Sequence, residues 1–493
     1  MDNTKILDVL IIGAGFSGIC AGVRLKKVNI NNFKIINKNS DIGGVWHENK
    51  YPGAVCDVPS VFYSFSFESN PNWTETYPSQ AEIQLYLKNV AKKYDLLNHI
   101  KSDRKVTKMI FEEETSLWKV ICEDRSIVRA KYVINGSGIL QKPNYPNFIL
   151  ESCFLGPIVH TARWNHKLDY SNKVISVIGT AASAIQIIPE LSKIAKKINI
   201  FQRSPNYVAK RNNRKYLKIE KYAFNKIPFI YKLYRFWSFL RGEILRYVIM
   251  RHSTKISILF KKMIMKNMYS NIKSKSLKNL LTPNYSIGCK RILVSDDYYD
   301  AINEKNVELV SEKIEKINGD SIITDKNKSY KTDIIICATG FNIEKHLLSI
   351  DLVGLNNQSI LDIWKDNQEA YKGACIPDFP NYFMVTGPNT QVATTSVVFV
   401  IEKQINYIVS LIVKTGLSRS IKVKEKSLKW YNKKVALGLK DSVWMQNCMS
   451  WYKNSRDQLN ILYPFSMFNL KKESEHPDMD NFIISKSQED SFS

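Results

Sequence analysis

The chain opens on an unbroken apolar run, Val9-Leu10-Ile11-Ile12, followed by small residues and then by apolar positions at helical spacing. A short run without polar alternation reads as a strand buried on both faces. Gly13-Ala14-Gly15-Phe16-Ser17-Gly18 supplies a turn, Ile19 to Lys27 a helix, and Phe33 to Ile36 a second strand. The same order returns much later. Lys173 to Ile178 predicts a buried strand, Gly179-Thr180-Ala181-Ala182-Ser183-Ala184 a turn, Ile185 to Lys196 a helix, and Ile198 to Phe201 the next strand. Tyr132 to Ile134 before Gly136-Ser137-Gly138, and Asp333 to Cys337 before Ala338-Thr339-Gly340, read as further strands that end in small-residue turns. Residues 215–284 break the alternation: Lys and Arg mix with Phe, Tyr, Trp, Leu and Ile at helical spacing, which predicts a helical insertion. Its aromatic residues Phe229, Tyr231, Tyr234, Phe236, Trp237 and Phe239 are expected to pack in the core or at a domain interface. A helix lying on a membrane surface is the alternative. From about Glu473 the chain is charged and serine-rich, and it is expected to be loosely ordered.

Strand, glycine turn, helix and strand, met twice, predict an α/β fold with two Rossmann-like dinucleotide-binding domains, and two such units suggest two different nucleotides. In the first loop Gly13 permits the tight turn, Gly15 lets backbone amides approach a pyrophosphate, and Gly18 allows the helix to pack on the strand. About 20 residues on, an acid is expected for the ribose hydroxyls; Asn37 stands there, which predicts weaker binding. In the second loop Ala181 and Ala184 replace the later glycines, and Gly179, Thr180 and Ser183 are the expected nucleotide contacts. Arg203 follows the next strand, where a guanidinium suits the 2′-phosphate of NADPH.

Composition narrows the class. A 493-residue chain with 44% hydrophobic residues has room for two or three packed domains and is not a disordered protein. Eight cysteines without a CxxC pair, and no metal-ligand cluster with His, predict reduced thiols in the cytoplasm and no metal site. The net charge of +25 fits an anionic partner, whether a 2′-phosphorylated nucleotide, a membrane surface or nucleic acid, or else a solvated lysine surface. No basic run carries the interleaved aromatics of a nucleic-acid groove. Residues 6–22 are apolar enough for a leader peptide, but their glycine spacing favours the phosphate loop. No stretch reaches the roughly 18 uncharged apolar residues of a spanning helix, so at most peripheral membrane contact is expected.

Between the two units lies Phe154-Leu155-Gly156-Pro157-Ile158-Val159-His160-Thr161-Ala162-Arg163-Trp164, of the form FxGxxxHxxxW. It resembles the fingerprint of the Baeyer–Villiger monooxygenases, carried by Phe154, Gly156, His160 and Trp164; the related flavin-containing monooxygenases tend to have Phe or Tyr at the last position. Asn165 departs from the proline or aspartate usual after it. Other stretches resemble the same family: Gly43-Gly44-Val45-Trp46 and Tyr51-Pro52-Gly53-Ala54 through Cys56-Asp57-Val58-Pro59-Ser60, the segment lining the flavin. Gly288-Cys289-Lys290-Arg291 is similar to the segment of the active-site arginine, Ala338-Thr339-Gly340-Phe341 to the turn between domains, and Phe379-Pro380-Asn381-Tyr382-Phe383 with Gly387-Pro388-Asn389 to the return into the FAD domain.

The resemblance implies an FAD-binding domain over 1–141 and 341–472, an NADPH-binding domain over 142–214 and 285–340, the insertion 215–284, and the tail 473–493. It implies bound FAD and NADPH, with O2 and a small-molecule ketone as substrates, and an ester or lactone formed through a C4a-peroxyflavin. Arg291 and Asp57 take the catalytic positions, Lys290 lies with Arg203 near the NADP 2′-phosphate, and Gly44, Trp46, Asp57, Ala338, Thr339 and Gly340 join the cofactor contacts. The helical insertion and the loops near Trp444 and Trp451 are expected to shape the substrate pocket. Three alternatives stand beside this reading. N- or S-oxygenation would not require Arg291 and Asp57; a disulfide reductase would require a cysteine partner for Cys56; a degenerate flavoprotein would explain Asn37, Ala181 and Ala184.

Overall fold

The computed structural model describes residues 6–250, 254–343, 349–446, 450–454 and 456–486. In the first of its two parallel cores Leu7–Ile12 pairs with Phe33–Ile36 on one side and Ile127–Asn135 on the other. Val9, Leu10 and Ile11 are wholly buried, as a run without polar alternation requires. Val106–Glu112 and Leu117–Cys122 extend this sheet antiparallel, and Asp351–Val353 and Tyr382–Met384 join it from late in the chain. The helix after the glycine loop, Phe16–Lys27, begins earlier than its apolar spacing shows, because extended Gly15 caps it.

The second core is a five-stranded parallel sheet in the order Val307–Val310, Lys197–Phe201, Val174–Ile178, Ile334–Cys337, Ile158–His160. Its glycine loop leads into the helix Ala182–Ser192, offset towards the N-terminus from the expected Ile185 to Lys196. Residues 142–144 and 340–342, the two crossings between the cores, lie side by side. Asn144 N–H donates to Gly340 O (2.9 Å) and Asn342 N–H to Lys142 O (2.9 Å), around a Pro143–Phe341 bridge.

Among the described residues the expected insertion forms four helices, Lys218–Lys226, Pro228–Met250, Lys255–Asn271 and Lys275–Leu281. The long second helix is anchored by Glu402, a buried carboxylate that accepts from Ser66 N (2.9 Å) and Ser66 Oγ (2.8 Å) and pairs with Arg235 at 3.7 Å and Arg24 at 4.0 Å. Among the described residues no helix is long and apolar enough to cross a membrane.

Three expectations need correction. Of the six aromatics named above, Tyr231 and Phe239 are buried and Tyr234 half-buried, but Phe229, Phe236 and Trp237 are exposed, because the helix packs one face only. The tail is not loosely ordered over 473–486. Asp478 accepts from Tyr371 and Tyr407 and pairs with Lys372, and Phe482–Lys486 adds a strand to Arg419–Val423; residues 487–493 lie outside the described residues. Cysteines 20, 56, 122, 153, 337 and 375 are free thiols, but Cys289 is disulfide-bonded. Sequence spacing could not reveal a pairing made by the fold.

Candidate active site

The first glycine loop is a close-fitting cradle. A Cβ on Gly13 (φ +96°) would lie 2.7 Å from Gly136 O, and one on Gly18 only 1.8 Å from Gly13 O. Gly15 faces Gly44, whose own Cβ would stand 3.1 Å from Gly15 Cα, so the backbones of the loop and the Gly43-Gly44 turn nearly touch. Such a surface of bare backbone at a helix N-terminus fits a pyrophosphate. Asn37 is buried at the end of its strand, and its Nδ2 donates to Asn39 O (2.8 Å) and Asp41 O (2.9 Å). Its amide therefore shapes the loop leading to Gly44, and Oδ1 is the atom able to accept from a ribose hydroxyl. Trp46 Nε1 donates to Tyr63 Oη at 3.1 Å, which fixes the half-buried indole beside this segment.

The second loop repeats the first turn. Gly179 (φ +105°) meets Ala338 O at 2.6 Å from a built Cβ, the counterpart of Gly13 against Gly136. Ala184 is fully buried in its helix and Ala181 is exposed, so alanine is accommodated where the first loop demands glycine. Asn206 Nδ2 holds Thr180 O at 2.9 Å. Ser183 reaches the Tyr51 phenol, which also donates to Gln186 Oε1 at 2.8 Å, while Gln186 Nε2 donates to Val55 O at 2.9 Å. Residues 51–57 of the first unit are thereby bound directly to the second unit's helix. Lys290 Nζ donates to Ser204 Oγ at 2.7 Å, next to exposed Arg203. Burial, then the charge of Arg203, depresses the Lys290 pKa. Two cations that repel each other on one rim suit an anion such as a 2′-phosphate.

Asp57 and Arg291 meet at this junction. Arg291 Nε and Nη2 both donate to Asp57 Oδ2, at 2.9 and 2.7 Å, with each side chain roughly a quarter exposed. The carboxylate raises the Arg291 pKa further and so holds the guanidinium charged. Trp444 Nε1 donates to Gly288 O at 3.1 Å and pins the loop that carries the arginine; Gly288 itself (φ +90°) lies against Ile249, leaving no room for a Cβ. Tyr452 is buried beside Arg291, and its Oη makes no well-formed hydrogen bond among the described residues. Burial pushes the phenol up to about 12, and the Arg291 charge draws it down. Trp451, half-exposed, packs on the Tyr452 ring at 4.8 Å.

The FxGxxxHxxxW residues bind strands, turns and rings of the second unit. His160 Nδ1 accepts from Ala162 N–H (3.1 Å) and Nε2 faces Gly340 O at 3.1 Å, which assigns the proton to Nε2. Burial lowers its pKa to about 4, so the ring is neutral. It binds the edge strand to the Ala338-Thr339-Gly340 turn, and Thr339 Oγ1 donates to Asn144 O across the paired crossings. Gly156 lies under the Phe154 ring, where a Cβ would be 2.8 Å away, and Trp164 stacks on Tyr170 at 4.5 Å. Arg163 donates to Glu48 Oε2 at 3.0 Å and Gln141 O at 3.2 Å, so the motif also grips the helical turn that follows Gly43-Gly44. Sequence reading missed Tyr51, Gln186, Ser204, Tyr452 and Glu402. Tyr51 and Ser204 had a signal, in the Tyr51-Pro52-Gly53-Ala54 stretch and beside Arg203.

The family description pyridine nucleotide-disulphide oxidoreductase matches residues 10–232. Cys56 beside Asp57 is a free, buried thiol, so the likeness lies in the nucleotide fold. A Baeyer–Villiger monooxygenase of Pseudomonas aeruginosa is 34% identical over 90% of this chain and 85% of its own length. An FAD-binding monooxygenase of Aspergillus niger is 34% identical over 97% of this chain and 81% of its own. The solved structure of an oxidized steroid monooxygenase bound to NADP superposes with a TM-score of 0.86 at 26% identity, covering 98% of this chain and 100% of that one. Two glycine cradles, the Asp57–Arg291 pair between them and likeness over nearly the whole length agree: the chain belongs to the Baeyer–Villiger monooxygenase family.

Proposed function

We infer that this chain is an FAD- and NADPH-dependent monooxygenase that inserts one oxygen atom of O2 into a ketone to give an ester or lactone. The observation that carries the ketone assignment is the Arg291–Asp57 pair at the contact of the two nucleotide-binding units. FAD, when bound over Gly13, Gly15, Gly18 and Gly44, supplies the redox and oxygen chemistry. The residues supply field and position. Arg291 keeps a fixed positive charge where negative charge develops on oxygen, and its planar N–H groups give that charge a direction. Asp57 holds the guanidinium by two bonds to one carboxylate oxygen, which leaves Nη1 for the reacting oxygen atoms. Arg203 and Lys290 would hold the 2′-phosphate of NADPH, with Thr180 and Ser183 on its nearer phosphates. Buried Tyr452 excludes water from one side of Arg291.

Oxygenation of a sulfide or amine needs no fixed cation, so the pair favours ketones. The test is oxidation of a ketone panel beside a sulfide panel, with NADPH consumption and organic product measured together. Ester or lactone formed in proportion to NADPH supports the reading. Sulfoxide without any ester overturns the ketone assignment, and a colourless protein that cannot be loaded with FAD overturns the enzyme.

A further inference from the structure

The helix Pro228–Met250 has one covered face and one bare face. Tyr231, Ser238, Phe239, Gly242 and Ile249 turn inwards, and Arg235 is tied to buried Glu402. On the opposite side Phe229, Leu233, Phe236, Trp237, Ile244 and Tyr247 are 48–70% exposed. Their spacing of three, four and seven residues makes a continuous stripe along the helix. The following helix, Lys255–Asn271, also leaves Ile256, Leu259 and Met263 exposed. An apolar surface of this extent calls for a partner.

Charge says which kind. Residues 215–284 contain sixteen Lys and Arg against two Glu and no Asp, a net +14. Neither acid offsets the bare face: Glu220 is bound to Arg214 at 2.7 Å and Glu243 is buried. Lys232, Arg241, Lys262 and Lys266 stand exposed along the two helices. We propose that this face docks the protein on an anionic lipid surface, the long helix lying parallel to the membrane plane. Its aliphatic and aromatic stripe enters the headgroup boundary while the flanking lysines reach lipid phosphates and carboxylates. The charges within the helix exclude a spanning arrangement, in line with its hydropathy. A second copy is a poor occupant, since the same lysines would meet on a chain of net +25. Nucleic acid is a poorer fit, because the aliphatic side chains of Leu233, Ile244, Leu259 and Met263 interrupt the exposed aromatics and leave no unbroken track of rings for successive bases.

The experiment is sedimentation of the full chain with phosphatidylcholine vesicles and with vesicles in which about a third of that lipid is phosphatidylserine. The expected result is binding to the anionic vesicles at least about tenfold stronger, and weaker as salt is raised. The variant Leu233→Gln/Phe236→Gln/Trp237→Gln should lower binding at least about tenfold, and Lys262→Glu/Lys266→Glu should lower the preference for anionic lipid by about the same factor. All five positions are exposed, and unchanged thermal melting confirms that the variants fold. Equal binding of both vesicle types, unimpaired binding by the triple variant, or no binding at all overturns the proposal. So does a concentration-dependent dimer that the triple variant abolishes, or capture of a single-stranded oligonucleotide in preference to the vesicles.

Discussion

At the scale of single residues, Arg291 is the position on which the chemistry turns. Its charge is secured by Asp57 and its loop by Trp444, so truncation removes the cation without disturbing either glycine cradle. Arg291→Ala is expected to consume NADPH while ester yield falls at least about a hundredfold and hydrogen peroxide takes its place; parallel assays of NADPH, ester and peroxide check this. Asn37 teaches the opposite lesson. The sequence suggested that an acid there would strengthen cofactor binding, but both amide hydrogens are bound to Asn39 O and Asp41 O. Asn37→Asp turns a buried donor into an acceptor facing two carbonyls, and should cost about 2 kcal/mol of stability by denaturant unfolding. The Arg291–Asp57 pair was legible because each residue stands in a local motif. Tyr452 was not, since nothing near it in sequence marks a phenol that the fold buries beside an arginine 161 positions earlier.

Elements were legible where hydrophobic period alone decides them: both parallel cores and the insertion helices follow from apolar runs and helical spacing. What joins elements was hidden, because the partners are far apart in the chain. Glu402 reaches Ser66, Arg24 and Arg235 from the helix Val397–Thr415, and so ties three separate segments. Glu402→Ala leaves two guanidinium groups without their buried carboxylate and should destabilise the protein by about 3 kcal/mol, read from the shift in unfolding midpoint. His160 joins the edge strand to the turn at Gly340, 180 positions on. With its folded-state pKa lowered to about 4, the unfolded chain binds a proton first as pH falls through the ordinary imidazole range. His160 therefore contributes stability above about pH 6.5 that is lost towards pH 4, on the order of 2 kcal/mol by pH 5. Thermal melts of His160→Gln between pH 7 and pH 5 should show a correspondingly flatter slope.

For the molecule as a whole, the net charge of +25 acts on every anion that approaches. With Arg203 and Lys290 on the nucleotide rim, raising ionic strength from about 0.05 to 0.2 M should raise the KM for NADPH several-fold. The rise should be smaller for NADH, which lacks the 2′-phosphate; steady-state kinetics with both nucleotides measure the difference. The paired crossings at 142–144 and 340–342 have a mechanical consequence at this scale. Two ribbons bonded edge to edge yield to folding along their shared line but stiffen against torsion. A hinge along this line would let the two nucleotide-binding halves close like the cover of a book. A nicotinamide carried on one half would return to the same point over the other at every turnover.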